Sequence, residues 1–396
     1  MVLSRRDDAA CAPGQHLDWL RDELAELTQS DLLRRRRTFA KSQSVELQLD
    51  GQTRINFGSN DYLSLAGHPA LRAAAHRALD EQGVGAGASP LLAGRADLQR
   101  QLERRLAQFE EAEAALLFTS GYAANVGAIT SLVGRGDAVY SDSHNHASII
   151  DGCRLSRAQV FVYPHNDLDA LEQSLEQGGG FRRKLIVSDS LFSMDGDFAP
   201  LETLLPLAQR YGAMTMLDEA HATGVVGPGG RGYAAACGLL QQVDVRVGTL
   251  SKALGASGGF VAGRRELIDW LVNRARTYIF STAAPPSIAA ATLAALDLLD
   301  HDPTRGPTVQ DKAQALRQRL EAAGWNVGAS RSHIIPLILG DARRTLDLSD
   351  QLWQADMYVP AIRPPSVAAG QSRLRISVCY GHTLEMLDSL ASALGA

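Results

Sequence analysis

Lys252 is the residue whose setting most clearly suggests chemistry. It sits in Val247-Gly248-Thr249-Leu250-Ser251-Lys252-Ala253-Leu254-Gly255-Ala256-Ser257-Gly258-Gly259, and no other charged side chain lies within five residues on either side. Small, uncharged surroundings at a strand end desolvate an amine and lower its pKa, which suits Schiff-base chemistry. A lysine that snorkels to the surface fits the same segment. Upstream, Asp218-Glu219-Ala220-His221 follows the apolar run Ala213–Leu217. Strand alternation puts Met214, Met216 and Asp218 on one face, so Asp218 stands at the carboxyl end of a strand. A buried Asp there wants a cationic partner, for which a protonated pyridine nitrogen would serve; an N-cap Asp is the plainer reading.

Two more segments follow strands. Asp189-Ser190-Leu191-Phe192-Ser193-Met194-Asp195-Gly196-Asp197 is one, in which Ser193 alone reads as a turn residue. The other, Thr119-Ser120-Gly121-Tyr122-Ala123-Ala124-Asn125, turns through Gly into a predicted helix. Backbone N–H groups at such a helix start suit a phosphate.

Several short motifs mislead. Asp218–His221 spells a helicase box, but none of the four lysines sits in the G-x-x-x-x-G-K-[ST] loop that such enzymes need. Gly255–Gly259 matches G-x-S-x-G, yet its serine leads into a strand rather than a helix. His144-Asn145-His146 has no third and fourth ligand at recognisable spacing, so no metal is expected.

The elements that must position these residues are legible as a pattern. Seven short apolar runs alternate with helices or loops: Ala114–Phe118, Ala138–Ser141, Gln159–Tyr163, Lys184–Asp189, Ala213–Asp218, Val243–Gly248 and Gly259–Ala262. This predicts an α/β domain with a mostly parallel seven-stranded sheet, whose ligands bind beyond the carboxyl ends of the strands. The expected division is 1–56 for an N-terminal helix and small β segment, 57–285 for the large domain and 286–396 for a smaller α+β domain. Residues from His16 to about Phe39 read as helical and end in the run Arg34–Arg37. Asp50-Gly51 is a hairpin signal, and Gly83 to Gly94 reads as a loop.

Composition narrows the class. The 396 residues are 45% hydrophobic and 21% charged, with net charge −5, which excludes general disorder and argues against nucleic acid. Four scattered cysteines argue against a disulfide scaffold. The N-terminus lacks an apolar signal core, and the Ala-rich stretch from Ile288 to Leu299 is too short to span a bilayer. A soluble cytoplasmic protein without membrane association is expected. Only Lys41, Lys184, Lys252 and Lys312 are lysines among the 39 basic residues. The other three read as solvent-facing.

Together these segments, with Asn56–Leu63, His146-Ala147-Ser148 and Ser281-Thr282 before Pro285-Pro286, resemble the α-oxoamine synthases, pyridoxal-phosphate enzymes of fold type I. The similarity runs over nearly the whole chain. It implies Lys252 as the Schiff-base lysine and base, Asp218 at the ring nitrogen and His146 over the ring. His221 and Ser193 would meet the phenolic oxygen. Gly121, Tyr122 and Thr249 would help seat the cofactor, and Ser281 and Thr282 would reach the phosphate of a dimer partner. Arg375 would grip the amino-acid carboxylate, with Arg34, Asn60 and Ser366 also in the substrate site. Alternation puts Arg373 on the same face as Arg375, where a surface salt bridge is the preferred reading.

The stretch Ala361–Val367 looks like the family branch that condenses L-alanine with a pimeloyl thioester, on coenzyme A or an acyl-carrier protein, in biotin biosynthesis. Branches using glycine with acetyl- or succinyl-CoA, glycine C-acetyltransferase and 5-aminolevulinate synthase, are the alternative. A homodimer with the active site at its interface is implied. Three departures from the family pattern stand out: Asp189 for glutamate, Ala222 for glycine and Ser366 for threonine.

Overall fold

The computed structural model describes residues 15–40, 45–49 and 51–396. Lys41 and Asp50, two residues of the sequence reading, lie outside them. A helix spans Trp19–Gln29 and ends at Ser30 and Asp31, where Asp31 adopts φ 57°. The expected helix to Phe39 therefore stops ten residues early. The four arginines lie in irregular chain, and the side chains of Arg34 and Arg37 reach the C-terminal part of the molecule. Arg37 lies 4.2 Å from the Trp353 ring, and Arg34 donates to the carbonyl of Pro364 at 3.1 Å.

An antiparallel hairpin follows, β1 (Glu46–Leu49) and β2 (Gln52–Asn56). Within the expected loop 83–94, Pro90–Gly94 forms one π-helical turn. The large sheet comprises β3 (Ala114–Phe118), β4 (Ala138–Asp142), β5 (Gln159–Tyr163), β6 (Lys184–Asp189), β7 (Met214–Asp218), β8 (Val245–Thr249) and β9 (Gly259–Gly263). Its order is β3-β9-β8-β7-β6-β4-β5, and β9 alone runs against its neighbours. The seven runs read from sequence match these strands to within two residues.

Both faces of the sheet are covered, so its central strands are apolar on both sides. Leu185, Val187, Met216 and Val247 pack with Ile129 and Leu271 on one face, while Ile186 and Leu217 pack with Leu171, Leu204 and Leu207 on the other. Polar groups appear where β6, β7 and β8 end together, at Asp189, Asp218 and Thr249.

A smaller antiparallel sheet is built from β10 (Ile334–Gly340), β12 (Ala361–Ile362) and β13 (Ser372–Ser377), in the order β10-β13-β12. Between them, β11 (Met357–Tyr358) joins the N-terminal hairpin, pairing in parallel with β2. Phe57 packs in the same core as Ile335, Leu374 and Ile376, so the two chain ends share one apolar cluster.

One close approach fixes the start of the helix Gly121–Leu132. A Cβ on Gly259 would lie 2.5 Å from the Gly121 nitrogen and 2.6 Å from the Ser120 carbonyl carbon. Backbone cannot yield as a flexible side chain does, so the first residue of β9 has to be small. Gly259→Ala is expected to cost about 1–3 kcal/mol. Urea unfolding would check this, and an unchanged midpoint would refute the packing argument.

Candidate active site

The site grows from the carboxyl ends of β6, β7 and β8. Lys252 lies in the turn after β8, and its Nζ is 2.7 Å from His221 Nε2. No carboxylate among the described residues forms an ion pair with it. Burial of the amine lowers its pKa to about 8, against the opposing pull of Asp218 and Asp189. His221 is buried and its Nδ1 lies 2.7 Å from the Tyr62 hydroxyl. Burial, then the charges of Lys252 and Arg375, hold His221 well below the usual histidine range, so it is neutral.

Asp218 ends β7 with both oxygens committed. Asn125 Nδ2 donates to Oδ2 at 2.6 Å, and the Ala220 N–H donates to Oδ1 at 2.9 Å. Asn125 also donates to Ser148 Oγ at 2.8 Å. Beside it, in register on β6, the carboxylate of Asp189 accepts the His146 N–H at 2.8 Å. Burial, then the neighbouring Asp218 charge, raises the Asp189 pKa well above its ordinary value. Asp189 therefore anchors the backbone from which His146 projects. His146 caps the helix Ala147–Ser156 and lies within electrostatic reach of Asp218 and Lys252. Ala222 is fully buried, and its φ is not positive, so the position tolerates a side chain.

A second group surrounds the start of the helix Gly121–Leu132. Thr249 donates to the Gly258 carbonyl at 2.9 Å and therefore accepts from Ser251 at 2.7 Å. A Cβ on Gly121 would touch Thr249 at 3.5 Å. The Ser120 hydroxyl accepts the Ala123 N–H at 3.0 Å, which leaves the Gly121 and Tyr122 N–H groups at the helix start as an anion cradle beside Thr249 and Ser251. The side chain of Tyr122 turns away, to Asp151.

Arg375 lies on β13 and reaches across to the β6 side. Its Nε donates to the Ser193 carbonyl at 2.5 Å, so Ser193 enters the site through its backbone. Its NH1 donates to Asn60 Oδ1 at 3.1 Å and Ser377 Oγ at 2.8 Å, and its NH2 donates to the Tyr62 hydroxyl at 3.2 Å. A guanidinium has five N–H groups, so one, on NH2, remains for a ligand. The expected bidentate grip is not free: the fork is spent on the protein. Arg373 is buried rather than on the surface, and it pairs with Asp195 at 2.6 Å. Burial would raise the Asp195 pKa, but His144 and Arg373 win and lower it to about 2.

The flank of the site is braced by His165, whose two ring nitrogens face Asp142 at 3.0 Å and Asp197 at 2.9 Å. Both nitrogens must carry hydrogen. Burial opposes the charge, but the carboxylates prevail and raise the pKa to about 10.

Three sequence expectations fall elsewhere. Arg34 and the exposed Ser366 meet on one loop, where the Arg363 carbonyl accepts from the Ser366 N–H at 3.1 Å and from Arg34 at 3.5 Å. No direct hydrogen bond joins them to the Lys252 group among the described residues. Ser281 and Thr282 line a separate cleft with Arg95, Glu103 and Thr277. Lys184 and Lys312 are half-buried rather than solvent-facing, because their amines donate to the carbonyls of Tyr211 at 3.3 Å and Tyr380 at 2.7 Å. Tyr62, Asn125 and His333 were not singled out from sequence. Tyr62 and Asn125 do lie inside the Asn56–Leu63 and Thr119–Asn125 segments.

The donor set suits pyridoxal phosphate. It offers a desolvated amine without an ion pair, an oriented carboxylate 34 positions upstream, and a helix start flanked by hydroxyls.

Comparison with known proteins agrees. Residues 52–394 match the family described as aminotransferase class I and II. An 8-amino-7-oxononanoate synthase from Aromatoleum aromaticum is 47% identical over 378 residues, 96% of this chain and 98% of that protein. A solved serine palmitoyltransferase from Sphingomonas wittichii is 32% identical with TM-score 0.90, covering 97% of each chain. A high-resolution structure of SPT with PLP is 31% identical with TM-score 0.89, again over 97% of each.

Because the amine is neutral above its pKa, acylation of Lys252 by acetic anhydride should be half-maximal near pH 8. An ordinary lysine titrates near ~10.4. Peptide mass spectrometry across a pH series reads the midpoint. A value near 10 would contradict the desolvated setting.

Proposed function

From the premise that this chain belongs to the aminotransferase class I and II family, we propose that it is an 8-amino-7-oxononanoate synthase. It condenses L-alanine with a pimeloyl thioester. The observation that carries this reading is the uncommitted amine of Lys252, held against His221 beside the Asp218 carboxylate. The curated relatives, 41% to 48% identical over nearly the full chain, select the substrates within the family.

Overall, the α-carbon of alanine bonds to the thioester carbonyl carbon, the C–S bond breaks and the alanine carboxylate leaves as CO2. Pyridoxal phosphate, when bound, supplies an electron sink for the negative charge that develops at the α-carbon. The protein's residues do the rest. Lys252 Nζ accepts the α-proton, for which a pKa near working pH is suited. Asp218 would hold the ring nitrogen, its orientation fixed by Asn125 and the Ala220 N–H. Thr249, Ser251 and the backbone at Gly121 and Tyr122 would receive the phosphate. His146 would cover the ring, and His221 and Ser193 would face its phenolic oxygen. The one remaining N–H of Arg375 and the Asn60 amide hold the alanine carboxylate until it departs. Arg34 and Ser366 take the acyl donor.

We assign the enzyme to the cytoplasm, consistent with the three described cysteines, Cys153, Cys237 and Cys379, being unpaired and with the lack, among the described residues, of any helix long and apolar enough to cross a membrane. It works as a homodimer. Exposed Val84, Leu92 and Phe280 support this, since they lie on two segments that meet where the Ala283 N–H donates to the Ala88 carbonyl, and covering apolar side chains there would be favourable. Ser281 and Thr282, next to Phe280, would then serve the partner's phosphate.

Purified protein with pyridoxal phosphate should convert L-alanine and pimeloyl-CoA, or pimeloyl-carrier protein, to 8-amino-7-oxononanoate, as read by mass spectrometry. Turnover of L-serine with palmitoyl-CoA, or of glycine with acetyl-CoA, in place of this pair would overturn the assignment. Lys252→Ala should lose both turnover and the borohydride-reducible visible band. Retention of either contradicts the role given to Lys252. Arg375→Lys should raise the KM for L-alanine at least about tenfold, since one ammonium cannot replace a fork bonded to four groups.

A further inference from the structure

The Tyr62 hydroxyl has more partners than protons. It lies 3.2 Å from Arg375 NH2, 3.0 Å from Asn60 Oδ1 and 2.7 Å from His221 Nδ1. Arginine can only donate. Because Arg375 also donates to Asn60 Oδ1, the orientation of that amide is settled and the atom facing Tyr62 is an acceptor. The single phenolic proton therefore goes either to Asn60 or to His221.

Each choice fixes the neutral His221 ring differently. If the proton goes to Asn60, His221 Nδ1 carries hydrogen and donates to Tyr62, leaving Nε2 to accept from Lys252. That arrangement suits an ammonium. If the proton goes to His221 Nδ1, the hydrogen sits on Nε2 and points at Nζ, which suits a neutral amine. The ring of Tyr62 is held by His333, whose centroid lies 4.1 Å away at 71°. His333 is fully buried, and burial first, then Arg375 and Lys252, lowers its pKa to about 3, so it adds no charge.

We propose that Tyr62 is a positioning residue whose hydroxyl, turning between Asn60 and His221, matches the His221 tautomer to the protonation state of Lys252. This deepens the reading of Lys252 as the base of the reaction. A base must shed its proton after taking it, and a neighbour that changes tautomer accommodates both states without itself becoming charged. Asp218, Asp189 and Arg375 act on the amine by charge rather than by contact, and burial, the largest cause, lowers the pKa of the nearby His146.

The test uses the full chain without cofactor and the same acetic anhydride titration of Lys252. Tyr62→Phe keeps the ring and its contact with His333 but leaves a His221 Nδ1–H without an acceptor. The Nε2–H tautomer then prevails and opposes the ammonium. The Lys252 midpoint is expected to fall by about one pH unit. Asn60→Ala removes the alternative acceptor, so the phenolic proton stays on His221, and the midpoint shifts in the same direction. Nitrogen-15 NMR of histidine-labelled protein gives an independent signature. The His221 signal should pass from the Nδ1–H to the Nε2–H form through the Lys252 transition in the parent, and should stay Nε2–H in Tyr62→Phe. Unshifted midpoints in both variants, or one unchanged tautomer in the parent, would overturn the proposal. Failure of the parent to take up pyridoxal phosphate would instead overturn the cofactor reading, because neither measurement depends on the cofactor.

Discussion

The site depends on an amine that is buried but left unpaired. A buried ammonium in direct contact with a carboxylate would be pinned in its charged form, and a buried amine with no negative charge near it would lose its proton too readily. Lys252 escapes both extremes because its neighbouring carboxylates are engaged elsewhere. Asp218 is bound by Asn125 and the Ala220 N–H, and Asp189 by the His146 N–H. They act on the amine by field alone, while its one close partner is the neutral ring of His221.

This balance requires three strands to end side by side and the groups beyond them to stay put. Parallel β6, β7 and β8 supply the first condition. The second comes from ion pairs whose protonation is settled far from neutrality. His165 bridges Asp142 and Asp197, and Arg373 holds Asp195 with His144 on its other side. With His165 near 10, Asp195 near 2 and His333 near 3, these walls keep their charge where Lys252 changes its own. The titration near pH 8 is thus a local event in a fixed frame.

The strands were legible because a sheet covered on both faces imprints itself as short apolar runs, and the residues after those runs stood out by their polarity. Lys252, Asp218 and His221 follow from that logic, since each sits at or just beyond a strand end. What sequence did not reveal is which polar groups meet across distant segments. Arg373 and Arg375 share one face of β13, and alternation cannot tell them apart. Arg373 is tied to Asp195 and Arg375 to Tyr62 and Asn60, residues from two different loops. The early end of the first helix was equally hidden. Of the arginines after it, Arg37 is held by Trp353 and Arg34 by the Arg363 and Pro364 carbonyls, more than 300 residues later.

Arg375 shows why an arginine-heavy composition bears on mechanism. One guanidinium bonds the loop after β6 through Ser193, the loop after β2 through Asn60 and Tyr62, and its own strand through Ser377. Those bonds lie in a plane and use four of its five donors, which an ammonium on a flexible stem could not reproduce. The residue we assign to the substrate carboxylate is therefore also the residue that assembles the chain around it. Its NH2 ends on the hydroxyl that touches His221, and His221 touches Lys252. Arg375 and the Lys252 amine are thereby the two ends of one chain of contacts, running through Tyr62 and His221, each within hydrogen-bonding distance.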